Sequence, residues 1–270
     1  MLANLRRLFR HRELIRTLVA RELKARYRGS ILGLFWSFAN PLLLLLVYTF
    51  VFSVILPGFR GGELEPYALF LFCGLLPWTW FASSLMESSN VLIANGNLIK
   101  KVMFPAEILP IVSVLSNMVH FLFGLPVLGA FLAYYALDGR LPGPLQLVEL
   151  VWLPAVILVQ LLLTLGCALI LSALTVHFRD IRDLLNNLLT LWFFASPIIY
   201  PMAMVPAVGK PFMDLNPFAH LAISYQEILF YDGPFGHWKW LLALAVLALA
   251  LTAVGYQLFD RLRDSFAEEV

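Results

Sequence analysis

Long stretches of this chain carry no Asp, Glu, Lys or Arg, among them 30–59, 66–85, 108–137 and 150–178. Each is long enough to cross the hydrocarbon of a bilayer, which takes about 20 helical residues. In that medium no water is available to pair with the backbone, so a crossing segment must satisfy its own N–H and C=O groups, as a helix does. The composition agrees: 61% of the 270 residues are hydrophobic and 13% are charged, against about 25% charged in an ordinary soluble domain. A single soluble domain is therefore excluded.

Six spans follow from the runs and their polar breaks, at about 31–56, 67–87, 108–136, 149–175, 184–200 and 238–259. The fifth is short and ends among Pro197 and Pro201. The first is too long for a cleavable signal, whose apolar part is about 7–15 residues, so it is expected to remain as an anchor. Placing both termini, 88–107 and 176–183 on one side leaves only Arg60, Arg140, Lys210 and Lys239 of the 19 basic residues on the other. By the preference of Lys and Arg for the cytoplasmic side, both ends are expected there.

Residues 5–28 form a different element. At 100° per residue, Arg6, Arg10, Arg21, Lys24 and Arg28 fall within an arc of about 60°, and Leu14, Ile15, Leu18, Val19 and Leu23 occupy a separate half-turn. This predicts an amphipathic helix on the cytoplasmic membrane surface. Its basic face serves either to hold anionic lipid and fix topology, or to meet a partner or a phosphate headgroup as well. Segment 201–237 is too apolar for an ordinary connection. Asn216-Pro217 reads as a helix start, a capping side chain followed by proline at the first helical position. Phe218, Leu221, Tyr225, Ile228 and Leu229 then recur at helical spacing, which fits a short helix dipping into the outer leaflet or one lying flat at its surface.

Several chemistries are missing. The sequence has no G-x-x-x-x-G-K-[ST], no H-E-x-x-H and no G-x-S-x-G, so a nucleotide-binding P-loop and the commoner hydrolase motifs are excluded. Asp180 and Asp183 have a D-x-x-D spacing but alternate with Arg179 and Arg182, which favours an ion-paired turn over a metal site. His120 is the one ionisable side chain in the central stretches of the spans, and it shares a stripe with Ser113, Ser116 and Asn117 that favours helix packing. The energy for transport is thus expected from outside the chain. Cys73 and Cys167 sit singly inside apolar runs and read as packing residues.

Arg26-Tyr27-Arg28-Gly29-Ser30-Ile31-Leu32-Gly33, with Trp36 and Pro41, resembles the approach to the first span in permease subunits of polysaccharide-exporting ABC transporters. The run from Asn95-Gly96-Asn97 through Leu98, Lys100, Lys101, Val102 and Phe104-Pro105 to Pro110 resembles that family's first cytoplasmic coupling segment. Phe178-Arg179-Asp180-Ile181, Ser196-Pro197-Ile198, Asn216-Pro217 and Phe266-Ala267-Glu268 extend the similarity nearly end to end; Ala106 departs from it, standing where a basic residue is expected.

The resemblance implies an all-α integral membrane protein of the type-2 ABC class. An amphipathic interface helix (1–30) would lead into a six-span permease domain (31–259), followed by a cytoplasmic tail (260–270). It implies a homodimer paired with two copies of a separate ATPase, which would hold the ATP and Mg, so no cofactor is expected in this chain. The cargo would be a lipid-linked polysaccharide, O-antigen foremost, with capsule or teichoic acid as alternatives. An integral-membrane polyprenyl-diphosphate transferase is the rival of another class. Coupling is expected from 95–105, where Leu98 and Val102 would anchor a docking helix, and from Arg179 and Asp180. Arg26 and Arg28 are candidates for a lipid diphosphate, since a guanidinium binds phosphate oxygens in pairs. Phe35, Trp36, Tyr48, Trp78, Trp80, Phe81, Trp192 and Phe193 are candidate conduit aromatics. An outer gate is expected over 197–231, with Pro197, Asn216, Pro217, His220, Ser224 and Glu227.

Overall fold

The computed structural model describes residues 11–26, 28–29, 33–55, 64, 66–101, 104–139 and 148–269, and every regular element among them is helical. In chain order these are α1 (Arg12–Arg26), α2 (Trp36–Phe50), α3 (Tyr67–Ala94), α4 (Gly96–Lys101), α5 (Ile108–Leu137), α6 (Leu153–His177), α7 (Asp180–Phe194), α8 (Lys210–Leu215), α9 (Pro217–Leu229), α10 (Trp238–Leu262) and α11 (Phe266–Glu269). Among the described residues four helical units are long and apolar enough to cross a membrane: Tyr67–Ala94, Ile108–Leu137, Glu149–His177 and Trp238–Ser265. The first expected span is the shorter α2, prolonged by a π-turn over Val51–Ile55. The fifth is shorter than the sequence suggests. Here α7 caps at Ala195, and Ser196 folds the chain over, its N–H bonding Phe193 O at 3.1 Å and its carbonyl accepting from Ile198 at 2.7 Å.

Helix α3 is the axis of the molecule, with α2, α5, α6, α7 and α9 packed around it. That is why its buried residues lie on every side of the helix, as an all-round apolar sequence requires. Polar side chains fasten its neighbours: Trp80 Nε1 donates to Val114 O on α5 at 3.2 Å, and Gln160 Nε2 on α6 donates to Pro77 O at 2.8 Å. Between α6 and α10 the backbones approach closely at Gly166 and Gly255, where a Cβ on Gly255 would stand 2.7 Å from Gly166 O. Thr252 Oγ1 donates across this seam to Leu162 O at 2.7 Å. Small residues permit such approaches between helices that gain no hydrophobic advantage over lipid.

Part of the apolar stripe of α1 packs on protein. Leu18 is buried, and Leu14, Ile15 and Val19 pack with it against Ile108, Val112 and Phe104. Its exposed face carries Arg21 and Lys24, Arg28 is exposed beyond its end, and Arg6 and Arg10 lie outside the described residues.

Candidate functional site

At the end of the bundle that carries Lys100 and Arg179, the chain gathers its own small core. Leu92, Ala106, Leu109, Leu169, Ala173, Val176, Phe259 and Phe266 are buried together. Asn95 closes α3, donating from Nδ2 to Val91 O at 2.8 Å, and α4 follows at once. Leu98, Ile99 and Phe104 face this core and are half-buried against it, while Asn97 and Lys100 are exposed. Leu98, expected as an anchor for a partner, is thus turned largely into its own chain. Val102 lies outside the described residues, and Lys101 is the last residue of α4. Arg179 and Asp180 are exposed at the start of α7. The tail joins the same core, with Phe266 against Phe259 at a ring separation of 5.1 Å and His177 Nε2 3.1 Å from Ser265 Oγ.

Arg26 lies outside the basic arc of α1, on the side of its apolar stripe, and is held by side chains of two other helices. Its Nη1 donates to Asn117 Oδ1 at 3.2 Å and its Nη2 to Glu87 Oε1 at 2.5 Å, while Asn117 Nδ2 donates to Glu87 Oε2 at 2.7 Å. The triangle joins α1, α3 and α5 beside a cavity of about 640 Å³ lined by Trp36, Asn40, Thr79, Ser83 and His120. Glu87 also faces two further clefts, one with Arg21, Asn90 and Arg182, the other between α3 and α7 with Asn186 and Thr190. Arg28 is exposed beyond the end of α1. Sequence reading missed Glu87, which closes an uncharged run, and assigned Asn117 to packing alone.

The aromatic candidates divide. Trp78, Trp80 and Phe81 lie on the axial helix and are buried within the chain, so the first and last of these pack in its interior. Trp78 meets Phe218 edge-on at 4.7 Å and Phe193 at 5.7 Å, and Phe81 meets Trp192 at 5.2 Å. Trp80 stacks on Phe121 at 5.0 Å but also lines the cavity beside Trp36. Trp192, Phe193 and Tyr48 are half-buried against the main core, and Phe35 is exposed.

At the opposite end the Asn216-Pro217 start is present as expected. Asn216 Oδ1 accepts from Phe218 N at 3.0 Å, Ala219 N at 3.3 Å and Trp192 Nε1 at 2.7 Å; Nδ2 donates to Ala195 O at 2.9 Å and Ser196 Oγ at 3.0 Å. The helix it opens, α9, lies inside the bundle, with Phe218, Leu221, Ala222 and Tyr225 fully buried. That excludes a helix lying flat on the surface. Gln226 Nε2 fixes it to Pro197 O at 2.9 Å, and Ser224 is buried with its Oγ donating to His220 O.

His220 stacks on Trp240 at 4.4 Å, with Nδ1 2.9 Å from His237 Nε2 and Nε2 2.9 Å from Asp214 O. A carbonyl only accepts, so His220 Nε2 carries a proton, and in the neutral ring Nδ1 is then the acceptor toward His237 Nε2. Burial pushes His237 down to about 4, and the adjacent His220 adds to this. Glu227 Oε2 accepts the backbone N–H groups of Gly236 and His237 at 3.1 and 3.0 Å, closing the turn before α10. These residues hold the 201–237 segment against α10.

Packed helices long and apolar enough to span a membrane define the class as an integral-membrane protein. The chain belongs to the ABC-2 type transporter family, which it matches over residues 13–230. It is 37% identical over its whole length to the full-length O-antigen export system permease protein RfbA of Myxococcus xanthus. It is 34% identical to the Klebsiella pneumoniae protein of the same name, over 95% of this chain and 94% of that one.

Proposed function

We propose that this chain is the membrane half of an exporter that moves a lipid-linked polysaccharide, of O-antigen type, out of the cytoplasm with energy from a separate ATPase. The observation that carries this reading is similarity running from end to end to two proteins named as O-antigen export permeases. A full-length relation covers residues 95–105, the spans and the α9 segment together. In this reading the chain crosses the inner membrane six times, α2 and α7 being the first and fifth crossings, with both termini cytoplasmic. Two copies form the conduit and two ATPase subunits, holding ATP and Mg, dock on the end bearing Asn97, Lys100, Arg179 and Asp180. A glycan requires hydrogen-bonding groups beside flat apolar faces, because sugar rings present C–H patches and hydroxyls together. Phe35, Trp36 and the polar side chains around Thr79 and Ser83 meet that need. The α9 segment closes the outer mouth.

The test is export by the assembled complex. Inside-out vesicles holding the permease and its ATPase should take up a lipid-linked glycan into a glycosidase-protected state only when ATP is supplied. Assembly of the complex without ATP-dependent protection of any O-antigen, capsular or teichoic polymer would overturn the reading, and formation of a new phosphodiester product would favour a transferase.

A further inference from the structure

We propose that the cavity between α2, α3 and α5 receives the phosphate-bearing headgroup of a lipid, with Arg26 as phosphate ligand and Glu87 as the carboxylate it displaces from Arg26. This rests on the lipid-linked cargo of the proposed function and adds a site and an exchange to it.

The cavity's volume, about 640 Å³, lies within the roughly 300–1,000 Å³ usual for small-molecule sites. Asn40, Thr79, Ser83 and Asn117 supply hydrogen bonds, and Trp36 supplies a flat apolar face. Arg26 is the cation on its wall. A guanidinium has five N–H donors in a fixed fork; Nη1 of Arg26 donates to Asn117 and Nη2 to Glu87. The side chains of Arg26 and Glu87 are 30% and 34% exposed, so the pair is within reach of an incoming anion. A phosphate oxygen taking the place of Oε1 exchanges one anion for another at the same guanidinium. No buried charge is left bare by that exchange, because Glu87 keeps Asn117 Nδ2 on its other oxygen and faces two polar clefts. Since Arg26 ends α1 and Glu87 lies on α3, headgroup arrival also releases a tie between these helices.

The experiment uses the permease–ATPase complex in lipid nanodiscs and measures calorimetric binding of geranylgeranyl diphosphate, geranylgeraniol and inorganic pyrophosphate. The diphosphate lipid should bind at least ten-fold more tightly than either other probe. Equal binding of pyrophosphate would assign the cavity to a soluble phosphate and overturn the lipid assignment. Arg26→Lys loses the fork and should weaken binding about ten-fold; Glu87→Gln removes the competing anion and should tighten it several-fold. Arg26→Lys weakens the tie to Glu87 and Asn117 and Glu87→Gln removes its charge, so a purely structural role moves both variants in one direction, and opposite shifts are the signature of exchange. Unchanged affinity in Arg26→Lys, or weaker binding in Glu87→Gln, would overturn the proposal. Should Arg26→Lys fail to assemble, Asn117→Asp keeps Arg26 and adds a carboxylate beside it, and it too should weaken binding. Glycan uptake is scored separately: lost headgroup binding with intact ATP-driven uptake sinks this site alone, and intact binding without uptake of any glycan sinks the export reading alone.

Discussion

At Asn216 a single side chain caps one helix and ties it to another. Its Oδ1 takes the first free N–H groups of α9 and the Trp192 indole, and its Nδ2 takes the carbonyl that α7 leaves at Ala195. Replacing it by Ala removes the cap, worth about 1 kcal/mol, and leaves the half-buried Trp192 N–H without this acceptor, so a loss of about 1–2 kcal/mol is expected in detergent unfolding. Asn216→Asp keeps the acceptor and should lose about half as much. A different test applies at His237, whose imidazole stays neutral down to about pH 4 in the folded chain. An unfolded histidine takes up its proton near pH 6.5, so the unfolded state binds more protons between about pH 6.5 and 4, and stability must fall as pH falls through that window. Glu227, pushed up by burial, contributes with the opposite sign, which is why the comparison should be with His237→Asn, in which Glu227 remains. Wild type should lose stability relative to this variant on acidification from pH 7 to 4. Parallel pH profiles would show that His237 is not held neutral.

Among the elements, α6 and α10 meet through glycine. A methyl on Gly166 would stand 2.7 Å from the backbone of Leu251 and Thr252, so Gly166→Ala must push the helices apart, at a cost of about 1–3 kcal/mol. Gly129→Ala on α5 meets nothing within 4 Å and serves as the control, expected to be neutral or slightly stabilising. Unfolding of both variants in the same detergent checks this. Helix α4 divides by face. Leu98→Asp inserts a charge against the core of Leu92, Ala106 and Phe259, and should lower stability by about 2 kcal/mol along with ATPase co-purification. Lys100→Glu alters only an exposed position, and should lower co-purification while the unfolding transition stays put. Normal co-purification of Lys100→Glu would remove this face of α4 from the proposed interface.

For the whole molecule, the asymmetry of basic residues sets an orientation that labelling can check. With Cys73 and Cys167 replaced, cysteines at positions 60 and 140 should react with an impermeant thiol reagent applied outside, and one at position 100 should not. External labelling at 100 would reverse the orientation. Removing the native thiols is expected to be tolerated if Cys73, which is fully buried, is replaced by a residue of similar volume such as Ser or Ala with a small packing loss.

What the sequence by itself determined is what depends on local order along the chain. The uncharged runs fixed which segments are helices, because a backbone in hydrocarbon has few other solutions. Asn216-Pro217 marked a helix start, because capping is settled within three residues. Sequence reading over-extended the fifth span to 200, since apolar character continues past Ala195 where hydrogen bonding does not. The tertiary structure decided which face of each segment meets protein. Trp78 and Phe81 are as aromatic as Phe35, yet they are interior because α3 is the axis and α2 is peripheral. Leu98 turns inward because the tail and the end of α6 supply a core beneath it. Arg26, Glu87 and Asn117 are 61 to 91 positions apart when measured from Arg26. Helical periodicity carries no information over such separations, so only the packing of α1, α3 and α5 could bring their charges and amide into one triangle.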